Sequence, residues 1–254
     1  MLIYFVKSTW LGAMIIMGEK LLNLELVIFD LDGTLIDSNG IHNQLDVEWI
    51  RTFDEDKSSE EILKERDEVL KVKNTGDIYL NYSEYLKKKY KLKLSADEIL
   101  NVRRKLSKQF LKEVKLKPKA DEMIKYLKGN NIKLALATVS RKADLEIYIN
   151  ENENIKNKCN LNECFDYIIT KDDVTLKKPN PEVYNKIIEK FGIKDLSKCI
   201  VIEDSLSGVC AAKNANLKVI AIYDRYSDKD REGINELADY TVDSFEELMK
   251  ILNK

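Results

Sequence analysis

Leu24-Glu25-Leu26-Val27-Ile28-Phe29-Asp30-Leu31-Asp32-Gly33-Thr34-Leu35-Ile36-Asp37-Ser38 is the stretch from which the rest of the chain can be read. A near-continuous apolar run, rich in β-branched residues, ends abruptly in two aspartates and a glycine. Such a run fits a strand buried on both faces of a parallel sheet, where no alternation of polar and apolar residues is expected. Four later runs share its character: Lys133-Leu134-Ala135-Leu136-Ala137, Tyr167-Ile168-Ile169, Cys199-Ile200-Val201-Ile202 and Lys218-Val219-Ile220-Ala221-Ile222. Amphipathic stretches with readable ends lie between them. Asn180 and Pro181 open a helix that buries Val183, Tyr184, Ile187, Ile188 and Phe191, and Gly192 stops it in the left-handed conformation. Ser244 and Glu247 form a capping box before Phe245, Leu248, Met249 and Leu252. Strand alternating with helix predicts an α/β fold: a Rossmann-like three-layer core around a parallel sheet.

Residues 41–115 break this rhythm. They offer no strand candidate, while Ser58 with Glu61 and Ser95 with Glu98 are capping boxes opening helical runs. Ile99, Val102, Leu106 and Phe110 recur at helical spacing, as do Tyr79, Tyr82, Leu86 and Tyr90, a stripe read as packing. The predicted organisation is a core of 17–40 with 116–254, interrupted by an all-helical cap at 41–115. Residues 1–16 form an N-terminal extension. That segment is apolar but short and interrupted by Lys7, below the ~20 residues of a membrane span, and it has no basic leader. A start assigned too early, with translation beginning at Met14 or Met17, accounts for it most simply.

Composition narrows the chemistry. The 254 residues carry 42 Lys plus Arg against 44 Asp plus Glu, a net charge of −2, which gives no global pull toward nucleic acid. The four cysteines show no metal-ligand spacing, and two of them lie in apolar stretches, which suggests small buried hydrophobes in a reducing, cytoplasmic compartment and no disulfide framework. A single histidine, His42, removes most zinc sites and histidine-based triads. Chemistry here must run on carboxylates, hydroxyls and amines.

Asp30 and Asp32, two residues apart on extended backbone, project to the same side at the carboxyl end of a strand, where open α/β sheets place ligands. Two like charges held close need a cation or a proton, which motivates a hard metal such as Mg²⁺. An isolated Asp-x-Asp-Gly reads equally well as a helix-cap aspartate followed by a turn. Three other strand ends add weight: Thr138 and Ser140 after the second core strand, Lys177-Lys178-Pro179 before a helix start, and Glu203-Asp204-Ser205 closing an apolar run. Together they supply acids, hydroxyls and a cation on one rim, a set suited to a phosphoryl group held against a metal.

The order of these four segments resembles the haloacid dehalogenase-like hydrolase superfamily, in its helical-cap phosphatase and β-phosphoglucomutase-like branch. The family's D-x-D-G-T matches Asp30 to Thr34, its strand-end Thr/Ser matches Thr138, its lysine before proline matches Lys178, and its E-D-S-x-x-G matches Glu203 to Gly208. The resemblance covers roughly residues 24 to 225. It implies that Asp30 is the nucleophile and Asp32 the general acid/base, and that Thr138, Ser140 and Lys178 bind the phosphoryl group. Asp30, Asp32 (through its carbonyl) and Asp204 would hold Mg²⁺, with Glu203 beside them. The implied activity is a Mg²⁺-dependent phosphatase acting on a small-molecule phosphomonoester through an aspartyl-phosphate. The second Asp argues against dehalogenation.

His42, Ser140 and Arg141 fall where mutase relatives carry a His, a Ser and a basic residue, so a phosphosugar mutase is the alternative. The cap shows no Gly-x-Ser-Arg loop, its nearest segment being Lys73-Asn74-Thr75-Gly76-Asp77. A non-catalytic binding relative is the other alternative, disfavoured by the intact acids and lysine. The basic run from Arg103 to Lys119 reads as a solvated helix face, with a local attraction for anionic substrates as the alternative. Expected partners are a small phosphate substrate, no nucleic acid and no membrane, in a monomer or weak homodimer.

Overall fold

A computed structural model of the chain describes residues 23–72 and 77–252. The extension at 1–16 and residues 73–76 of the cap segment weighed above lie outside the described residues. The chain divides into two compact units, Met1–Asp37 with Lys115–Lys254, and Ser38–Val114.

The first unit is built on a six-stranded parallel sheet: β1 (Leu26–Phe29), β2 (Lys133–Ala137), β3 (Tyr167–Ile169), β4 (Cys199–Glu203), β5 (Lys218–Ile222) and β6 (Tyr240–Val242), in the order β3-β2-β1-β4-β5-β6. It is a Rossmann-like α/β fold. Central β1 is buried on both faces, as its unbroken apolar run requires. Leu26 and Ile28 join Ala135, Ala137 and Val201 against helices Glu182–Phe191 and Leu206–Asn214. Phe29, on the opposite face, meets Phe165 and Phe245 at ring-centroid distances of 5.9 and 6.2 Å. β6 escaped the sequence reading because it is a three-residue edge strand with only Val242 buried, too short for an apolar run to show.

The order reverses between β1 and β4, which creates the crevice where sheets of this kind bind ligands. Register places Phe29 opposite both Leu136 and Ile202. The residues that follow therefore emerge from three adjacent strands at the same height.

The second unit packs helices Asn39–Arg51, Ser59–Val72, Ile78–Lys89 and Ala96–Phe110, with no strand among its described residues. Both capping boxes form: Ser58 and Ser95 each receive the amide three residues on, and Glu61 and Glu98 reach back. Its core gathers Trp49, Ile50, Ile62, Tyr82, Leu86 and Ile99. The tyrosine stripe packs: Tyr82 stacks on Tyr85 and lies edge-on to Trp49, both with centroids 5.7 Å apart.

Two expectations are corrected. The run from Arg103 to Lys119 is not one solvated face. Arg103 turns inward, donating through Nε to Oδ1 of buried Asp46 at 2.7 Å while its guanidinium lies 3.7 Å from the Tyr79 ring centre. Arg66 holds the other Asp46 oxygen at 2.7 Å. Lys117 belongs to the first unit and pairs with Asp224 at 3.0 Å. A buried carboxylate recruits any cation that can reach it, so helical periodicity alone does not set the fate of a basic residue. The cysteines differ too. Asn160 caps the single helical turn Leu161–Cys164 and folds the Cα atoms of Cys159 and Cys164 to 6.1 Å, bringing their sulfur atoms together. Cys199 is free and buried, as expected, and Cys210 is free and half-buried.

Candidate active site

The D-x-D-G-T stretch is a tight loop at the end of β1. Asp30 continues the ladder, its amide donating to the Ile202 carbonyl at 2.9 Å. Gly33 then takes φ = +83°, a left-handed turn that a side chain would strain. The turn closes through Gly33 N to Ile36 O at 2.9 Å and Leu35 N to Leu31 O at 2.9 Å. Its effect is to bury Thr34 completely and aim its hydroxyl at Asp204, where Oγ1 donates to Oδ1 at 2.8 Å.

Lys178 is the hub. Its side chain is 3 % exposed, and Nζ donates to Asp30 Oδ1 at 2.7 Å, Glu203 Oε1 at 2.6 Å and the Ala137 carbonyl at 3.0 Å. Three donors on one ammonium thus span β2, β1 and β4. Tyr184 supports this hub. Its hydroxyl donates to Glu203 Oε1 at 3.0 Å, and Nζ lies 5.3 Å from its ring centre. The other Glu203 oxygen accepts from the amides of Asp204 and Ser205 and from the Ser205 hydroxyl, at 3.1, 3.3 and 3.1 Å. Glu203 is fully buried and saturated with donors. Gly208 explains itself here: a Cβ at that position would sit 1.8 Å from Glu203 Oε1.

Burial pushes the Asp30 carboxyl well above its ordinary range, and the charges of Glu203 and Asp204 push the same way against Lys178. Desolvation would lower Lys178, yet the carboxylates of Asp30 and Glu203 hold its ammonium well above the usual lysine value. Asp204, also buried, is pushed up to about 7 by desolvation and by Glu203, with the Thr34 bond opposing.

Asp32 lies on the neighbouring side of the rim, half-buried. Its Oδ2 accepts from the Ser140 hydroxyl at 2.5 Å and the Thr138 hydroxyl at 3.4 Å. The Ser140 amide donates to Thr138 Oγ1 at 2.9 Å, so the two hydroxyls form one small cradle. Arg141 is spent on a two-point pair with Asp144, both contacts at 2.8 Å. His42 sits half-buried on helix Asn39–Arg51 in the other unit.

Asp30, Asp32, Thr138, Ser140, Lys178, Glu203 and Asp204 therefore share one rim of the first unit. Asp30, Glu203 and Asp204 offer carboxylate oxygens within 4.8 Å of one another. An all-oxygen donor set of this kind suits a hard divalent cation. Asp30 and Asp204 have the open lone pairs for it, whereas Glu203 is occupied by Lys178, Tyr184 and the strand-end amides. Sequence reading missed Tyr184, which looked like one more apolar-face residue, and Ser227, whose hydroxyl reaches Asp204 Oδ2 at 3.2 Å. No local signal marks Ser227. Tyr184 was findable only by asking what a phenol does on a buried face.

This α/β fold gathers carboxylates and one buried lysine at the switch point of its sheet. Residues 27–222 match the family described as haloacid dehalogenase-like hydrolase, and the chain belongs to it. Over 196 residues it is 30 % identical to a bifunctional riboflavin kinase/FMN phosphatase of Arabidopsis thaliana, matching 77 % of this chain and 48 % of that protein. The chain thus spans about half the length of that relative. It is 28 % identical over 197 residues to a phosphorylated carbohydrates phosphatase of Thermotoga maritima, covering 78 % of this chain and 84 % of the relative. CbbY of Rhodobacter sphaeroides, solved in complex with xylulose-(1,5)bisphosphate, superposes with a TM-score of 0.68 at 25 % identity, covering 89 % and 96 % of the two chains. No helix among the described residues is long and apolar enough to cross a membrane.

Proposed function

We propose that this hydrolase is a Mg²⁺-dependent phosphoric monoester hydrolase that cleaves a small phosphorylated metabolite, a sugar phosphate being favoured, through a phosphorylated Asp30. The family and its phosphatase-named relatives support phosphomonoester hydrolysis as the class. The observation that carries the finer reading is the Lys178 ammonium, shared between Asp30 and Glu203 at 2.7 and 2.6 Å, with the Asp32 carboxylate two residues along the same loop.

In this reading Asp30 forms the new P–O bond as the ester P–O bond breaks. Asp32, protonated, gives its proton to the departing oxygen, and the cradle of Thr138 and Ser140 fixes the angle from which it does so. Asp32 then takes a proton from water as that water attacks phosphorus. The P–O bond to Asp30 breaks, inorganic phosphate leaves, and Asp30 returns to its starting state. Lys178 orients Asp30 and offsets charge on the phosphoryl oxygens, so that a carboxylate can approach a dianion. Asp30 and Asp204, with the Asp32 carbonyl, would hold Mg²⁺, which when bound supplies further neutralisation of phosphoryl charge. The helical unit Ser38–Val114, expected from sequence at 41–115, takes the part of the family's inserted cap.

Phosphate release from p-nitrophenyl phosphate and from a panel of sugar phosphates tests the activity, with and without Mg²⁺. The expected result is Mg²⁺-dependent turnover that Asp30→Asn abolishes. Full activity in EDTA after metal stripping, or turnover by Asp30→Asn, overturns it.

A further inference from the structure

Ser227 lies in the turn after β5, far in sequence from the catalytic motifs, yet it touches the acidic cluster. The residue is 8 % exposed, and its hydroxyl donates to Asp204 Oδ2 at 3.2 Å. The turn that carries it is braced at its start. Asp224 caps the short 3₁₀ helix Arg225–Asp230, accepting from the Tyr226 amide through Oδ1 at 2.9 Å and from the Ser227 amide through its carbonyl at 3.1 Å. The remaining Asp224 oxygen is paired with Lys117 at 3.0 Å. Lys117 also donates to the Tyr223 carbonyl at 2.9 Å, so one ammonium grips both residues that lead into the turn.

The consequence falls on Asp204. Thr34 holds its Oδ1 from the β1 loop and Ser227 holds its Oδ2 from the β5 turn. One donor on each oxygen resists rotation of the carboxylate plane while leaving each oxygen a further lone pair. Both donors are neutral hydroxyls, so they orient the group without cancelling its charge. The neighbouring cations are directed elsewhere, Lys117 onto Asp224 and Lys178 onto Asp30 and Glu203. This is the arrangement wanted for a carboxylate that must hold a fixed orientation toward a metal ion.

We propose that Ser227 is a positioning residue for Asp204 as a divalent-cation ligand, and that the Lys117–Asp224 pair sets Ser227 in place. The inference rests on the reading of Asp204 as a ligand, given above. The experiment measures Mn²⁺ affinity of the full-length, metal-stripped protein by electron paramagnetic resonance, which needs no turnover. Ser227→Ala is expected to raise the Mn²⁺ dissociation constant about fivefold, the size of one neutral hydrogen bond. Ser227→Thr, which keeps the hydroxyl, should restore it to within about twofold of the parent. Lys117→Met, which keeps both hydroxyl donors of Asp204, should weaken binding in the same direction and serves if Ser227→Ala fails to fold. Asp204→Asn should lose measurable binding. Parent-like affinity in both Ser227→Ala and Lys117→Met, with Asp204→Asn inactive in binding, overturns this inference alone. Parent-like affinity in Asp204→Asn overturns it together with the ligand assignment beneath it.

Discussion

Gly208→Ala isolates the packing that holds Glu203 against Lys178. The added methyl would lie 1.8 Å from Glu203 Oε1 and 1.9 Å from Cδ, so the carboxylate must retreat by roughly 1.5 Å to reach ordinary contact. It has nowhere to go without losing partners. Oε1 is bonded to Lys178 and Tyr184, and Oε2 to the Asp204 and Ser205 amides. Overpacking a tight site costs about 1–3 kcal/mol, and displacing one member of a buried ion pair about 3–5 kcal/mol. Since the strain relaxes by breaking the bonds, the two overlap, and a loss of about 4–6 kcal/mol is expected. At ~2–4 °C per kcal/mol for a chain of this size, the melting temperature should fall by roughly 8–24 °C. Turnover should fall too, because Lys178 loses the carboxylate that shares it with Asp30. Calorimetric melts read the stability, with Gly129→Ala as the matched control. No atom lies within 4 Å of its added methyl, and alanine in a helix gains up to ~1 kcal/mol over glycine. A Gly208→Ala protein that melts within about 3 °C of the parent would refute the claim that Glu203 needs a bare backbone at this position.

Three further outcomes are expected. Asp32→Asn should give a burst of p-nitrophenol from p-nitrophenyl phosphate followed by slow turnover, with phosphorylated Asp30 recoverable by borohydride trapping and mass spectrometry; equal slowing of burst and steady state, without a phosphoenzyme, would assign Asp32 another role. The metal-free fold binds more protons at Asp204 than the unfolded chain does, because burial raises that carboxyl from 3.8 to about 7. Its stability contribution therefore declines as pH rises between those values, and Mg²⁺ should raise the melting temperature more at about pH 8 than at about pH 5.5; equal shifts would count against a proton–cation exchange at this site. In the helical unit, Asp46→Ala strips the acceptor shared by Arg66 and Arg103, a loss of about 3–5 kcal/mol that near-UV dichroism of Trp49 should report; an unchanged Trp49 signal on warming would make the cluster dispensable.

The short-range features of this protein are written in the chain itself. Unbroken apolar runs such as Leu26–Phe29 bury both faces wherever they go, so five of the six strands and the parallel α/β class follow from them. The helix from Glu182 ends at Gly192 because only a left-handed residue closes it, and Ser58 and Ser95 start helices with bonds that span three residues. The catalytic candidates are legible for the same reason: residues at strand ends need no knowledge of distant partners to be placed on the rim. What charged side chains do once there depends on what the fold sets opposite them. Lys178 meets Asp30 across 148 residues and Thr34 meets Asp204 across 170, separations at which no sequence pattern operates. Arg103 and Lys117 sit in one basic run, yet one is drawn to Asp46 and the other to Asp224, because a buried carboxylate must be paired and takes the nearest cation the backbone delivers. Backbone propensity and hydrophobic period act over a few residues and belong to the sequence; charge pairing acts through space, and only the tertiary structure decided it.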